Sequence, residues 1–597
     1  HVTFDYAARL AAGRSGALAL GAKALARLLG VQEAVASSMS VCELRNVSLC
    51  AATQSGATTV ILWNGLAQDR TEVVELPINS PGVKVQTLDG KEVAVQIVPS
   101  LPSVTNYGRP AGGAKNTALF AANVPAVGFK AFRVASAAAA TSAPVPVAAS
   151  QDDPVLLENE FLKVEFAKTG ELERITDKAT GTSVQAKQSW LYYTPSHGNV
   201  SNQTQNSGAY IFRPFPNGTA PVIDGPPTIT VLRGDVADEV QQTFGTWVSQ
   251  RIRLAKGARY VELTFTVGPI PIDVNGKEVV SRITTDIANN GICYTDSNGR
   301  EMLQRKRDFR PTWTLNQTEP VAGNYFPVTT AMFIKDNSKQ LTVLTDASQA
   351  GTGCVADGEL ELMVHRRTLW DDARGVGEPL NETEFVAPYD GDNQGDWGRH
   401  FGRGLVTRGR HLLALSTPAQ AAEVWRPLAD EVYMPFQPFF AAADVAPARD
   451  SATALQRPLP PNVQLLSLEQ WDEDRVLLRL AHQFGLGEDA ALSQPATVDI
   501  GVLFAGKTVA SVDERGLAVS ISREEVLRRR IPWRVESQEA PRDSSASTAG
   551  SGAAPGDGGF TITLGPLQIR TFLVTFAPGA AQEDELDAKV GQGFVVI

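Results

Sequence analysis

The segment Val261-Glu262-Leu263-Thr264-Phe265-Thr266-Val267 alternates strictly between apolar and polar side chains. A period of two residues is typical of an antiparallel strand with one face in the core and the other in water. Similar strand patterns recur on both sides of this segment, from about residue 155 to Val364. No helix-length amphipathic pattern interrupts them. The segment therefore predicts a large domain of two wide, packed β-sheets.

The chain has 597 residues, which is too many for one core, and shifts in its composition predict several domains. The expected fold class is mainly β. A helical pattern fills residues 2–30 and stops at Gly30, which indicates the end of a helical bundle. The predicted parts are a bundle remnant (1–31), a small β-sandwich (36–134), a linker (135–152), the large β domain (153–425) and a C-terminal β-sandwich region (430–597).

Two further segments have compositions that predict irregular structure. Residues 538–559 are rich in Ser, Gly and Ala, and we expect a disordered insert there. Residues 385–410 are rich in Gly, Asp and Asn, which predicts a long exposed loop.

Composition and motifs exclude several classes of function. The net charge is −11, and no basic tract of the kind that binds nucleic acid is present. No apolar run approaches the roughly 18 residues of a membrane span. The six histidines lack the spacing of a zinc site, and no phosphate-binding glycine loop occurs. The residues alone therefore show no self-sufficient catalytic apparatus and no metal site.

Cysteines and glycosylation sequons indicate the cellular compartment. Cys42 and Cys50 flank the sequon Asn46-Val47-Ser48, and a disulfide closing this short loop would imply an oxidising environment. Two buried thiols are the alternative, and the partners of Cys293 and Cys354 stay open. Further candidate glycosylation sites are Asn199, Asn202, Asn217, Asn316 and Asn381. Together these features favour a secreted, lysosomal or Golgi-lumen protein.

Two polar stretches could carry chemistry. In His365-Arg366-Arg367-Thr368-Leu369-Trp370-Asp371-Asp372-Ala373-Arg374-Gly375, arginines adjoin paired carboxylates. Such groups form rigid networks that fix a loop, but an ion-paired strand end on the surface is the commoner case. Tyr210 follows three small residues, and its hydroxyl could reach a sugar in a cleft. The alternative is a core tyrosine whose hydroxyl bonds to a backbone carbonyl.

Several segments, in this order, resemble the C-terminal half of the lysosomal-type α-mannosidases of glycoside hydrolase family 38. The matching segments include 4–13, 207–214, 267–271, 294–301, 315–325, 362–367 and 371–375. The resemblance implies the remnant of a three-helix bundle, a small β-sandwich, a large galactose-mutarotase-like β super-sandwich and a C-terminal β domain. It also implies a Cys42–Cys50 disulfide. The stretches 134–151, 385–410 and 538–559 depart from the family pattern.

The resemblance also implies a function. Family members are zinc-dependent, retaining exo-α-mannosidases, and this one would remove terminal α-D-mannose from N-glycan-derived oligosaccharides in the lysosome or another secretory lumen. Their nucleophile, acid and zinc ligands belong to an N-terminal α/β domain, so neither catalytic residues nor zinc ligands are expected here. The expected partners are that catalytic half, covalent or as a processed subunit, and mannose-containing oligosaccharides. A non-catalytic carbohydrate-binding β-sandwich protein is the alternative.

Two residues match positions that contact the sugar in this family. Tyr210 resembles the tyrosine that hydrogen-bonds mannose hydroxyls, and Arg374 resembles the arginine of the Asp-Asp-x-Arg-Gly loop. Arg374 could act through its backbone carbonyl or through its guanidinium. Asp371, Asp372 and Gly375 would hold that loop in shape. Because Tyr210 and Arg374 are far apart in sequence, only the fold can bring them together.

Overall fold

The structure is a computed structural model that describes residues 2–54, 56–101, 113–138, 145–147, 155–197, 205–273, 275–383, 404–531 and 559–578. Most of the predicted linker, of the predicted loop at 385–410 and of the predicted insert at 538–559 lies outside the described residues, as do Asn199 and Asn202. The helices described are α1 (Val2–Leu29), α2 (Glu33–Ser38), α3 (Ala421–Tyr433) and α4 (Arg523–Arg529). None of these helices is both long and apolar enough to cross a membrane.

The strands account for most of the described structure, and neighbouring strands pair in antiparallel fashion. Up to residue 147 they are β1 (Ala57–Asn64), β2 (Arg70–Ile78), β3 (Gly82–Thr87), β4 (Glu92–Val93), β5 (Gln96–Pro99), β6 (Asn116–Val124), β7 (Gly128–Ala137) and β8 (Val145–Val147). Between residues 155 and 416 they are β9 (Val155–Glu158), β10 (Leu162–Phe166), β11 (Leu172–Asp177), β12 (Ser183–Pro195), β13 (Pro214–Pro221), β14 (Thr228–Arg233), β15 (Ala237–Phe244), β16 (Val248–Ala255), β17 (Val261–Val267), β18 (Gly276–Thr285), β19 (Ile292–Asp296), β20 (Met302–Lys306), β21 (Phe326–Val328), β22 (Ala331–Lys335), β23 (Gln340–Thr345), β24 (Gln349–Thr352), β25 (Glu359–Thr368) and β26 (Thr407–Ser416). From residue 437 they are β27 (Gln437–Ala442), β28 (Ser451–Thr453), β29 (Val463–Gln470), β30 (Arg475–His482), β31 (Ala496–Asp499), β32 (Val509–Arg515), β33 (Thr561–Leu564) and β34 (Ile569–Phe576).

Helix α1 confirms the helical prediction and is one continuous element through Gly13. Its last turns are buried, with Leu25 and Leu29 packed against the first β-sheet. Its first half is exposed, and Leu10 keeps 72% of its surface accessible. Gly30 takes a positive φ of 71° just after the helix, the conformation that suits a glycine at a helix end.

The small β-sandwich consists of two sheets. One has the order β27-β1-β7-β3-β4, with β28 on β7, and the other is β2-β6-β5. Strand β27 pairs with β1, placing Phe440 opposite Val60. Residues 437–453 therefore complete this sandwich, although the sequence prediction assigned everything from 430 to the C-terminal region. Pairing between strands so distant in sequence leaves no local pattern.

The large domain is a super-sandwich of two wide sheets. The nine-stranded sheet runs β21-β24-β25-β18-β12-β11-β10-β9, with β13 on β12. The ten-stranded sheet runs β20-β19-β22-β23-β26-β17-β16-β15-β14-β8. Apolar side chains from both sheets, including Leu263, Ile283, Leu362 and Leu413, form one core. The prediction of a mainly β fold built on two wide sheets is confirmed.

Strand β17 is more deeply buried than its alternation predicts. Thr264 and Thr266 on its polar face are only 8% and 2% exposed. The prediction of a half-exposed strand was therefore wrong. The small sandwich covers this polar face, and ion pairs such as Glu75 with Arg251 and Arg253 span the contact.

Helix α3 was missed in the sequence analysis, which treated residues up to 425 as strands and loops. Its apolar residues Ala421, Trp425, Leu428 and Val432 have helical spacing and pack on the ten-stranded sheet. The signal was present, but Pro427 lies inside the helix and argues locally against it.

The remaining strands form the C-terminal β region, with sheets β29-β30-β34-β32 and β31-β33 around a separate core. Two disulfides bond all four cysteines. Cys42–Cys50 confirms the implied pair, with Cα atoms 4.9 Å apart. Cys293 and Cys354, which the sequence left unassigned, are bonded to each other and fully buried in the super-sandwich core.

Candidate functional site

The buried carboxylate of Asp372 joins the two polar stretches singled out from the sequence. Its Oδ2 accepts hydrogen bonds from the backbone N–H of Tyr210 (2.6 Å) and of Ile211 (3.1 Å). Its Oδ1 accepts the backbone N–H of Arg374 (3.1 Å). Asp372 is 0% exposed, so water does not compete for these bonds. Tyr210 and Arg374 are therefore brought to opposite oxygens of one carboxylate.

Further contacts tie the two loops together. The side-chain amide of Asn206 donates a hydrogen bond to the backbone carbonyl of Asp371 (2.8 Å). The side-chain amide of Gln205 donates one to the backbone carbonyl of Asp372 (2.5 Å). Gln205 also accepts a hydrogen bond from the guanidinium of Arg374. A Cβ on Gly208 would lie 2.7 Å from the backbone nitrogen of Asp372, so the approach requires glycine.

The Arg374 loop has an unusual backbone. Ala373 takes a φ of 56° and Gly375 a φ of 111°. The side chain of Asp371 supports this turn, because its Oδ2 accepts the N–H of Ala373 (2.9 Å). A left-handed alanine is strained, and surrounding contacts must hold it. Asp371 and Asp372 thus both hold the backbone of this loop through side-chain hydrogen bonds.

A buried ion pair lies beneath the Tyr210 loop. Arg366 on β25 donates to Oε1 of Glu278 on β18 from Nε (3.0 Å) and from Nη2 (2.6 Å). The hydroxyl of Ser207 donates to the other oxygen of Glu278, and Arg366 also donates to the carbonyl of Ile211 (2.7 Å). Burial raises the pKa of Glu278, although Arg366 opposes this effect. The pair connects the sheet to the loop.

A second buried cluster, centred on Glu361, was not identified from the sequence. Its carboxylate accepts hydrogen bonds from the hydroxyls of Tyr193 (2.9 Å) and Tyr325 and from Nε of Arg282 (2.6 Å). Burial, reinforced by the Glu361 charge, raises the pKa of both tyrosines. The ring of Phe212 packs edge-on against both, at 5.5 and 4.7 Å between ring centroids. Phe212 thereby fixes the far end of the Tyr210 loop.

The side chains on top of this framework face solvent. Tyr210 is 67% exposed, and its hydroxyl has no hydrogen-bond partner among the described residues. Arg374 is also exposed, and the half-exposed ring of Trp370 lies edge-on to His197 at 6.3 Å. The result is an open polar-aromatic rim, which suits hydroxyl-rich ligands because tyrosine and tryptophan combine an apolar face with a polar group.

The described residues do not form a zinc site. No group of three His, Cys, Asp or Glu side chains within them could hold a metal ion. At the rim itself, both oxygens of Asp372 and one of Asp371 are engaged by backbone amides. The zinc that the resemblance implies therefore has no ligand set among the described residues.

The remaining predicted residues lie in varied settings. Asn46, Asn217 and Asn316 are exposed, so a glycan is sterically possible at each. Asn381 is partly buried, and its Oδ1 accepts a hydrogen bond from Arg367 (2.7 Å). Arg367 also binds the carbonyl of Ile270 (2.8 Å), which gives it a structural role. Glycosylation itself stays a prediction.

Comparison with known proteins places this geometry in a family. Residues 157–374 match the model of the glycosyl hydrolases family 38 C-terminal domain, a range that contains Tyr210, Asp372 and Arg374. Lysosomal alpha-mannosidase of Homo sapiens is 38% identical over 590 residues, covering 96% of this chain and 54% of the human protein. The chain contains a glycosyl hydrolases family 38 C-terminal domain. It spans about half the length of the curated relatives it matches.

Further comparisons point to the same family. Alpha-mannosidase of Canavalia ensiformis is 34% identical over 607 residues, with 96% of this chain and 60% of the plant protein covered. The crystal structure of an alpha-mannosidase from Enterococcus faecalis V583 covers 88% of this chain and 56% of its own, with a TM-score of 0.54 and 14% identity. At that identity the likeness concerns the fold alone.

Proposed function

We propose that this chain supplies part of the sugar-binding rim of a retaining exo-α-mannosidase that removes terminal α-D-mannose from N-glycan-derived oligosaccharides. The observation that carries the proposal is the convergence of Tyr210 and Arg374 on the Asp372 carboxylate. In this proposal, the zinc ligands and the catalytic carboxylates belong to another part of the complete protein, covalently continuous or as a processed subunit. The exposed apolar residues Tyr6 and Leu10 on α1 favour such a partner.

Each rim residue has a specific role in this proposal. The hydroxyl of Tyr210 is free to donate to, or accept from, a mannose hydroxyl. The carbonyl of Arg374 accepts a second hydroxyl, while its guanidinium is held by Gln205. Asp372 touches neither the sugar nor the reacting bond. It is a positioning residue, because its two oxygens set the separation of the loops.

Replacing Tyr210 by phenylalanine tests the proposal. In the complete protein we expect kcat/KM for an aryl α-mannoside to fall roughly tenfold or more, as expected for one lost hydrogen bond to a sugar hydroxyl. The melting temperature should not change, because the hydroxyl contacts no described residue. Tyr294→Phe on the opposite sheet is the matched control and should keep full activity. Unchanged kinetics for Tyr210→Phe would remove Tyr210 from the site.

Isolated residues 1–597 provide a second test. We expect this chain alone to leave an aryl α-mannoside intact and to bind no stoichiometric zinc, measured by turnover and by metal analysis. Turnover by the pure chain would contradict the proposed location of the chemistry. Mannoside binding without any hydrolysis by the complete protein would instead favour the carbohydrate-binding alternative.

We also propose a lysosomal or other secretory-lumen location. The two disulfides support it, since such bonds persist in oxidising compartments. Two carboxyl groups on α3 agree with an acidic environment. Burial raises the pKa of Asp430 to about 7, against the opposing charge of Arg300, and that of Glu431 to about 7 with a further contribution from Glu72.

These two carboxyl groups predict a pH-dependent stability. The pKa values of both groups in the folded state lie above their unfolded values of about 4, so the folded state binds more protons between about pH 4 and 7. The free energy of unfolding therefore falls as pH rises through this range. His411, whose pKa burial lowers to about 3, acts in the opposite sense below about pH 6.5. We therefore expect the change in melting temperature from wild type to the double variant Asp430→Asn with Glu431→Gln to be more favourable at pH 8 than at pH 5. The exposed control Asp474→Asn should show no such difference, and an unaltered pH profile in the double variant would contradict the assignment.

A further inference from the structure

A separate cluster of charged side chains lies on the ten-stranded sheet of the super-sandwich, where the small sandwich covers strands β16 and β26. Most of its members are paired. Arg251 and Arg253 each lie 2.7 Å from Glu75 of the small sandwich, and Arg253 also lies 2.7 Å from the fully buried Glu239. These ion pairs explain how the two domains adhere through a polar surface.

Two arginines in the same cluster have no carboxylate partner among the described residues. The guanidinium of Arg408 donates to the hydroxyl of Thr266 (3.1 Å) and makes no ion pair. The guanidinium of Arg45 makes neither a hydrogen bond nor an ion pair with a described residue. Burial, with repulsion from Arg251, lowers the pKa of Arg408 to about 10, and burial also lowers the pKa of Arg45. The charges of Glu75 and Glu262 oppose this shift at Arg408, and those of Glu75 and Glu72 oppose it at Arg45, but no carboxylate of the described residues forms an ion pair with either guanidinium. A largely buried cation without an ion-pair partner is unfavourable.

Both arginines line one small cavity of about 40 Å³. Its other cation is Arg251, and its one carboxylate within the described residues is Glu75, already shared by two arginines. The rest of its polar lining consists of the hydroxyl groups of Ser48, Ser100 and Thr117 and the side-chain amides of Asn46 and Gln241. The cavity thus offers an excess of positive charge and several hydrogen-bond donors.

The cavity is preformed and has an entrance. Arg45 lies within the Cys42–Cys50 loop, which the disulfide closes, and Arg408 lies on a central strand. A larger cavity of about 380 Å³ shares Arg45, Arg251 and Arg408 with the small one, so the two adjoin. An anion can therefore reach fixed donors without rearrangement of the fold.

We propose that this interdomain cavity is a binding site for a small tetrahedral oxyanion of the sulfate or phosphate class, held by Arg45 and Arg408. Guanidinium groups bind such anions through paired N–H donors, and the hydroxyls supply further donors. The anion neutralises the two unpaired charges and bridges the Cys42–Cys50 loop to the ten-stranded sheet. This site is independent of the sugar rim, which is built on the nine-stranded sheet.

Calorimetric titration of sodium sulfate into the complete protein, at constant ionic strength in chloride, tests the site. We expect one sulfate to bind, and Arg408→Gln and Arg45→Gln each to weaken its affinity roughly tenfold or more, as for a lost charge-assisted hydrogen bond. Arg475→Gln, which removes an exposed arginine paired with Asp472, is the matched control and should bind sulfate as wild type does.

Melting temperatures in chloride provide the independent readout. Arg408→Gln should not lower the melting temperature there, because it removes a cation that forms no ion pair and is repelled by Arg251. Absence of sulfate binding by wild type, or wild-type sulfate affinity in both cavity variants, would overturn the proposal. A lower melting temperature for Arg408→Gln without any sulfate effect would also overturn it, by indicating a carboxylate of the complete protein in the cavity.

Discussion

Replacing Asp372 by asparagine should lower kcat/KM for an aryl α-mannoside roughly ten- to a hundredfold in the complete protein, with the fold retained. The carboxylate accepts N–H groups on both oxygens, from Tyr210 and Ile211 on one and from Arg374 on the other. An asparagine has one acceptor oxygen, so its amide N–H would face a backbone N–H on one side. A hydrogen bond to a buried charged group contributes about 1.5–3 kcal/mol, which corresponds to this range of rates.

The neighbouring Asp371→Asn is the matched control for this experiment. Asp371 supports only the N–H of Ala373 and does not contact the Tyr210 loop through its side chain. Its replacement should therefore have a clearly smaller effect on kcat/KM, with KM and kcat measured separately for both variants. If the two variants lost activity equally, the bridging role of Asp372 would be refuted.

Replacing Glu278 by glutamine should give the largest loss of stability, about 3 kcal/mol, seen as a melting temperature several degrees lower. Glu278 is fully buried, and it neutralises Arg366, whose side chain is only 19% exposed. The glutamine would leave that guanidinium unpaired. Arg366 also holds the carbonyl of Ile211, so activity should fall together with stability.

The double variant Glu278→Gln with Arg366→Gln separates the pair from its surroundings. Because it removes both charges, it should be more stable than Glu278→Gln alone. Melting of the wild type, both single variants and the double variant completes the cycle. Strictly additive losses would show that the two side chains do not interact energetically, contrary to the 2.6 Å contact.

The framework under the rim explains why charge clusters can be misjudged from sequence. Taken alone, Arg366, Arg367 and the two aspartates resembled a surface ion-pair network. In the structure Arg366 pairs with Glu278 on the neighbouring strand, Arg367 binds Asn381 and a backbone carbonyl, and the Asp372 side chain binds backbone amides only. Apart from the N–H of Arg374, none of these partners lies close in sequence, so no local pattern could have assigned them.

The sequence by itself predicted the mainly β fold, the helix at 2–30 and, through the family resemblance, Tyr210 and Arg374 as candidate site residues. It did so because alternation, helical spacing and family motifs are local properties of the chain. It also predicted the Cys42–Cys50 disulfide, through the family resemblance. Helix α3 lay within reach of the same reasoning, since Ala421, Trp425 and Val432 have helical spacing.

Only the tertiary structure decided which distant groups meet. It paired β27 with β1, Cys293 with Cys354, and Tyr210 with Arg374 through one carboxylate. It also buried the polar face of β17 and left Arg45 and Arg408 facing a common cavity. Burial and charge pairing depend on what covers a surface, and that covering comes from segments hundreds of residues away. This is why the chemical environment of each site residue had to be read from the fold.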